Sequence, residues 1–271
     1  MDLNTVREKG RLVRKLAILA LMVGGLVFSA RAAVGGFLET LTNFRFVSQP
    51  IAAQDKPGKV NVKDREDEFP IATFDAESPT GPEERNKRNS KGRRYNRRIG
   101  KVQEKPNVAV ITDSENPAEK LLALPINESD AVVIGNILTT AAFMSEDKTG
   151  VYSEFKVSVE EVLKKKDSAA LLANSNIVLE RPGGRVKFPS GRVQLHTLEG
   201  QRMPLVGHRY LMFLRETGND GEYVLLVAYD LSSGVVVPLD HFQRQRTHQG
   251  SKVDAFISQV RASISVNQSR D

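Results

Sequence analysis

The stretch Val151-Tyr-Ser-Glu-Phe-Lys-Val-Ser-Val159 sets the fold class. Its odd positions Ser153, Phe155, Val157 and Val159 alternate with Tyr152, Glu154, Lys156 and Ser158. That is the period of two of a half-buried strand. Glu160-Glu-Val-Leu-Lys164 breaks the phase, as a bulge or a strand end would. Upstream, Ala131-Val-Val-Ile134 reads as a second strand, with Gly135 marking a bulge or a close backbone approach. Downstream, Ile177-Val-Leu-Glu180 reads as a third, stopped by Pro182-Gly183-Gly184.

The same signals continue to residue 242. Arg185–Phe188 and Arg192–Leu198 flank Pro189-Ser190-Gly191, and Tyr210–Leu214 and Glu222–Tyr229 flank Thr217–Gly221, so both pairs read as hairpins. Val235–Leu239 adds a last strand. Seven or eight short strands over residues 127–242 specify a mainly β domain, a small antiparallel barrel or a sandwich. Ala169-Ala-Leu-Leu-Ala173 reads as a helical turn between Leu163 and Ile177. A helix inserted in a five-stranded Greek-key barrel is the OB-like arrangement, which is the preferred topology.

Shorter elements flank this domain. In residues 106–126, Val108–Ile111 reads as a short strand. Asn116-Pro117-Ala118-Glu119 starts a helix with a capping residue, proline at its first position and glutamate at its third. In residues 243–271, Val253, Phe256, Ile257, Val260 and Ile264 recur at helical spacing behind Ser251, giving a C-terminal amphipathic helix.

The amino terminus has a different character. Arg7, Lys9, Arg11, Arg14 and Lys15 precede an uncharged apolar run from Leu16 to Ala30, and Ala30-Arg31-Ala32 supplies a small-x-small pattern. Residues 1–32 therefore read as an export signal cleaved before Ala33. An uncleaved membrane anchor, with Arg31 snorkelling near its end, stays open. Both readings place the rest of the chain outside the cytoplasm: periplasmic, secreted or anchored to the cytoplasmic membrane.

Residues 33–105 read as a disordered tether, acidic and then basic, because prolines and charge clusters there show no sustained period. The formal net charge is +6, but Arg85–Lys105 alone carries ten basic residues against Glu104. The β domain is mildly acidic, so the high isoelectric point of about 9.5 comes from leader and linker. A block of this density suits a polyanion such as an anionic envelope component, or serves as a solvated spacer. Export argues against nucleic acid as the partner.

Four phrases also carry a resemblance: Ser129–Gly135, Val151–Lys164, Glu180–Gly184 and Met203–Leu214. In their order they resemble a group of uncharacterised exported bacterial proteins with a small OB-like β domain. The resemblance implies export and a β fold. It implies no activity and no site residues.

Chemical motifs are scarce. The chain has no cysteine, which excludes disulfides, thiolate metal sites and cysteine nucleophiles. His196, His208, His241 and His248 have no metal-ligand spacing, so neither metal nor cofactor is expected. Ser145-Glu-Asp-Lys148-Thr-Gly150 imitates two motifs of penicillin-binding enzymes but shares one lysine between them, and reads as a β-turn.

One constellation stands out on the first hairpin. Val193, Leu195 and Thr197, with Val186 and Phe188, read as the core face, and Arg192, Gln194 and His196, with Arg185 and Lys187, read as the outer, solvated face. With Arg181 and the amides of Gly183 and Gly184, the basic residues Arg185, Lys187, Arg192 and His196 form a candidate binding face. The chain is thus read as a non-catalytic exported binding or interaction module tethered at or near the membrane. Its partner would be a protein or an anionic envelope component, and the membrane itself if the leader is uncleaved. Two alternatives stay open: an exported hydrolase whose site is not recognisable in sequence, and a polyanion-binding protein acting through its basic linker.

Overall fold

A computed structural model describes residues 68–76, 79, 81–97, 100–166, 171–219 and 221–268. All belong to one unit, Val60–Asp271. The leader, the tether up to residue 67 and the start of the expected Ala169–Ala173 turn lie outside the described residues. In chain order the elements are β1 (Ile71–Thr73), α1 (Pro82–Arg93), β2 (Val110–Asp113), a 3-10 turn (Pro117–Lys120), β3 (Ala131–Met144) and β4 (Val151–Lys165). They continue with β5 (Asn176–Pro182), β6 (Gly184–Lys187), β7 (Val193–Leu198), β8 (Arg209–Glu216) and β9 (Glu222–Asp230). The chain ends with β10 (Val237–Pro238), a second 3-10 turn (Gln245–His248) and α2 (Val253–Gln268).

The protein is mainly β, and its larger sheet bonds in a ring. β4 lies antiparallel between β3 and β5. β8 lies antiparallel between β3 and β9, and β5 meets β9 in parallel. Closing the ring removes most free strand edges. β10 adds to the far side of β9. A second sheet runs β1-β6-β7-β2, with the β6–β7 hairpin at its centre.

The alternation read from β4 places Phe155, Val157 and Val159 in the ring's interior with Leu179, Met212 and Leu225. The phase break at Glu160 is a pair of register shifts against β3, so the strand bends there and continues. Gly135 lies at one of them; a Cβ there would come within 2.5 Å of the Ser158 carbonyl oxygen. α2 lays Phe256, Ile257, Val260 and Ile264 on the outer face of β3, β8 and β9, against Ile134, Phe213 and Tyr229.

The cap at Asn116 forms as expected, its side chain accepting from the Ala118 amide at 3.0 Å. It starts one 3-10 turn rather than the expected helix. Ser145–Gly150 is the turn between β3 and β4, with the Ser145 hydroxyl accepting from the amides of Thr149 and Gly150.

The hairpin faces differ from the alternation expected. Val186 lies opposite Gln194, and Arg185 opposite Leu195. Directly opposed residues share a face, so Val186 and Leu195 point in opposite directions. Both are buried because the hairpin packs on both sides. Val186 joins Ala142, Val151 and Phe188, while Leu195 joins the ring's interior. Val193, expected in the core, is 41% exposed. Gln194 and His196, expected in solvent, are buried. The segment after α1 covers that side: Gln194 donates to the carbonyls of Lys105 and Val108 at 2.8 and 2.9 Å. Leu195→Ala is therefore expected to destabilise by about 2–5 kcal/mol. Arg192→Ala should change stability by less than about 0.5 kcal/mol. Thermal denaturation of the two variants checks both values.

The tether expected over residues 33–105 is corrected wherever the chain is described. Residues 71–73 pair with β6, and residues 82–93 form α1. The charge pattern alone treats Arg85–Lys105 as solvated, whereas its countercharges lie on the ring.

Candidate functional site

Glu154 and Glu180 are directly opposed on β4 and β5, and Glu222 opposes Val178 two residues along. Like charges so placed repel, and burial makes this worse. The basic segment supplies the compensation. Arg88 pairs with Glu154 at 2.7 Å. Lys91 lies 3.3 Å from Glu154 and 2.8 Å from Glu222. Arg94 makes a two-pronged contact to Glu180 at 3.2 and 2.5 Å. Tyr95 donates its hydroxyl to Glu180 and stacks on Tyr152, with ring centroids 4.5 Å apart. Burial and the Glu180 carboxylate push the Tyr95 phenol well up. Burial would raise the Glu222 carboxyl, but bonds from Lys91, Asn219 and Lys87 outweigh it and hold it below the ordinary range.

The seven residues of the candidate binding face do not share one surface. Arg181 is 3% exposed and donates from Nη2 to both oxygens of Asp240, at 2.6 and 2.5 Å. Gly183 has φ +97°, and a Cβ there would lie 3.0 Å from the His196 carbonyl oxygen. A Cβ on Gly184, φ +155°, would press on Val151 and Ala142. The two glycines are thus required by packing, and the Gly183 amide is already donated to Val151 at 2.8 Å. Arg185 donates to the Phe69 carbonyl, Arg192 pairs with Glu104 at 3.4 Å, and Lys187 is exposed. His196 lies beneath a separate cleft.

Arg181 does define a site of its own. It lines a cleft of about 260 Å³ with Asn116, Pro117 and Arg215, and its walls include Leu121, Leu198, Val224, Leu225 and Leu226. Ala118 and Gln201 also line the cleft. Among the described residues, the Nε and Nη1 of Arg181 and the Oε1 of Gln201 are buried without hydrogen-bond partners. Unpaired buried donors of this kind are rare and destabilising. Among the described residues, no side chain in the cleft's lining is a hydroxyl, thiol, imidazole or carboxylate. Sequence reasoning named Arg181 but missed Asp240 and Gln201. Asp240 lies 59 residues away, and no local spacing announces the pairing.

His196 is held down at about 4, first by burial and then by the charges of Arg97 and Lys105. The sign follows directly. The unfolded chain takes up a proton near pH 6.5, which the folded chain refuses until about pH 4. Stability from His196 is full above pH 6.5 and is lost as pH falls towards 4. Partly exposed His248, also lowered by burial, acts in the same direction. Denaturant unfolding at pH 7 and pH 5 should show the loss, and His196→Gln should flatten it.

Compared with known proteins, the chain matches no family model and no curated sequence. Among the described residues no helix is long and apolar enough to cross a membrane.

Proposed function

We propose that this chain is an exported, non-catalytic binding module whose OB-like barrel takes an apolar peptide segment of a protein partner beside Arg181. The observation that carries the reading is a buried guanidinium with two unpaired nitrogens at an apolar cleft. Asp240 already neutralises its charge, so the complementary group is an acceptor such as a peptide carbonyl. The amide of the same peptide would donate to Gln201 Oε1. The hydrolase alternative finds no support in the cleft's side chains. The OB-like reading is supported by the ring order, in which the first strand bonds the fourth and the third lies parallel to the fifth. The β6–β7 hairpin lies between the third and fourth strands, after the connection where a helix was expected.

Calorimetric titration with a blocked tri-leucine peptide amide tests the reading. The wild-type chain should bind, and Ala118→Trp, which fills the cleft without touching the ion pair, should weaken binding at least tenfold at unchanged Tm. Equal binding by both chains, or none by the wild type, overturns it. Export has its own check: native protein should begin at Ala33, and a sequence starting at Met1 or Asp2 would exclude cleavage.

A further inference from the structure

A second cleft, of about 320 Å³, lies where the chain leaving α1 crosses β2 and β7. Among the described residues, its cations are Arg97, Lys101 and Lys105, and its one carboxylate, Asp113, already pairs with Arg97 at 3.3 Å. Lys101 and Lys105 are exposed, and neither makes an ion pair among the described residues. Most other cations of the same basic run are spent: Arg88, Lys91 and Arg94 on the ring's carboxylates, and Arg93 on Glu146. Among the described residues, Lys101 and Lys105 leave this cleft with a net positive charge.

The remaining lining is suited to an oxyanion. Thr112 and Ser114 border it. His196 lines it too, 6% exposed and, among the described residues, with no partner for Nε2. Val102 and Ile111 supply an apolar wall beside the charges. The volume exceeds that of a bare oxyanion, leaving room for a group attached to it.

We infer that this cleft binds a phosphate group, with Lys101, Lys105 and Arg97 meeting its charge and the apolar wall receiving the body that carries it. The site is separate from the Arg181 cleft and does not depend on the peptide-binding reading. Lysine and arginine together suit phosphate, the first as a compact charge and the second as a planar donor.

The test is calorimetric titration of the full-length chain with inorganic phosphate at fixed ionic strength, and co-sedimentation with phosphatidylcholine vesicles with and without phosphatidylglycerol. Both lysines are exposed, so Lys101→Gln/Lys105→Gln should fold normally. The double variant should lose at least tenfold in affinity, whereas Lys156→Gln/Lys252→Gln, exposed and outside the cleft, should stay within twofold. Loss confined to inorganic phosphate identifies a soluble phosphate compound as the source; loss confined to phosphatidylglycerol vesicles identifies a lipid headgroup. Absence of binding, or equal binding by wild type and the Lys101→Gln/Lys105→Gln variant, overturns the inference.

Discussion

Asp240→Ala is expected to lower the unfolding free energy by about 3–5 kcal/mol, the range for removing one partner of a buried ion pair. For a domain of this size that corresponds to a fall in Tm of roughly 6–20 °C. The reason lies in what remains. Arg181 is 3% exposed, and its Nε and Nη1 already lack partners. Losing Asp240 leaves the whole guanidinium buried and uncompensated, and also frees the Arg202 amide that donates to Asp240 at 3.0 Å. Replacing both partners, Arg181→Met with Asp240→Leu, should recover most of the loss, since buried pairs are often matched by apolar residues of similar volume. The double variant should fold and yet fail to bind the peptide amide, separating the role of Arg181 in stability from its role in the cleft. A loss below about 1 kcal/mol for Asp240→Ala would mean that the pair reaches water.

What the sequence revealed, and what it hid, follows from the range of each signal. The ring was legible because Phe155, Val157 and Val159 report burial through alternation along one strand. Turn chemistry at Pro189-Ser-Gly191 and Thr217–Gly221 placed the hairpins equally well. The faces of the first hairpin were not legible. Alternation assigns an inside only when one face is solvated, and β6–β7 is covered on both by the ring and by residues 100–108. Arg181 was legible as a candidate but not as a buried one, because Asp240 arrives from beyond β10. The basic run misled for the same reason. Lys91 and Arg94 are neighbours of Glu180 and Glu222 only after the ring has closed. A local signal was nonetheless present: Glu180 and Glu222 each adjoin an apolar strand run, where an uncompensated carboxylate is costly.

Glu180→Ala should loosen the C-terminal end of α1 on the ring. Glu180 has no exposed side-chain surface, while Arg94 retains 27%, so on removal of the carboxylate the guanidinium can turn to water. The expected loss is therefore at the low end for a broken buried pair, about 3 kcal/mol. It should fall locally, because α1 is strongly polar and is held chiefly by Arg88, Lys91 and Arg94, with Tyr95 just beyond it, and not by an apolar stripe. Tyr95 loses its hydroxyl acceptor and keeps only its stacking on Tyr152, while Arg88 and Lys91 keep their pairs with Glu154 and Glu222. Trypsin should then cut the variant within residues 85–97 at least tenfold faster than wild type, while the ring, with its own interior, stays intact. Glu160→Gln provides the contrast. It removes an exposed pair with Arg209, worth at most about 1 kcal/mol, and should leave cleavage in α1 unchanged. If Glu180→Ala is cut no faster than wild type, α1 does not depend on Glu180 for its attachment. If wild type is itself cut rapidly in 1 M salt, the network is open to screening. The carboxylates would then be a surface to which the basic segment is only loosely attached.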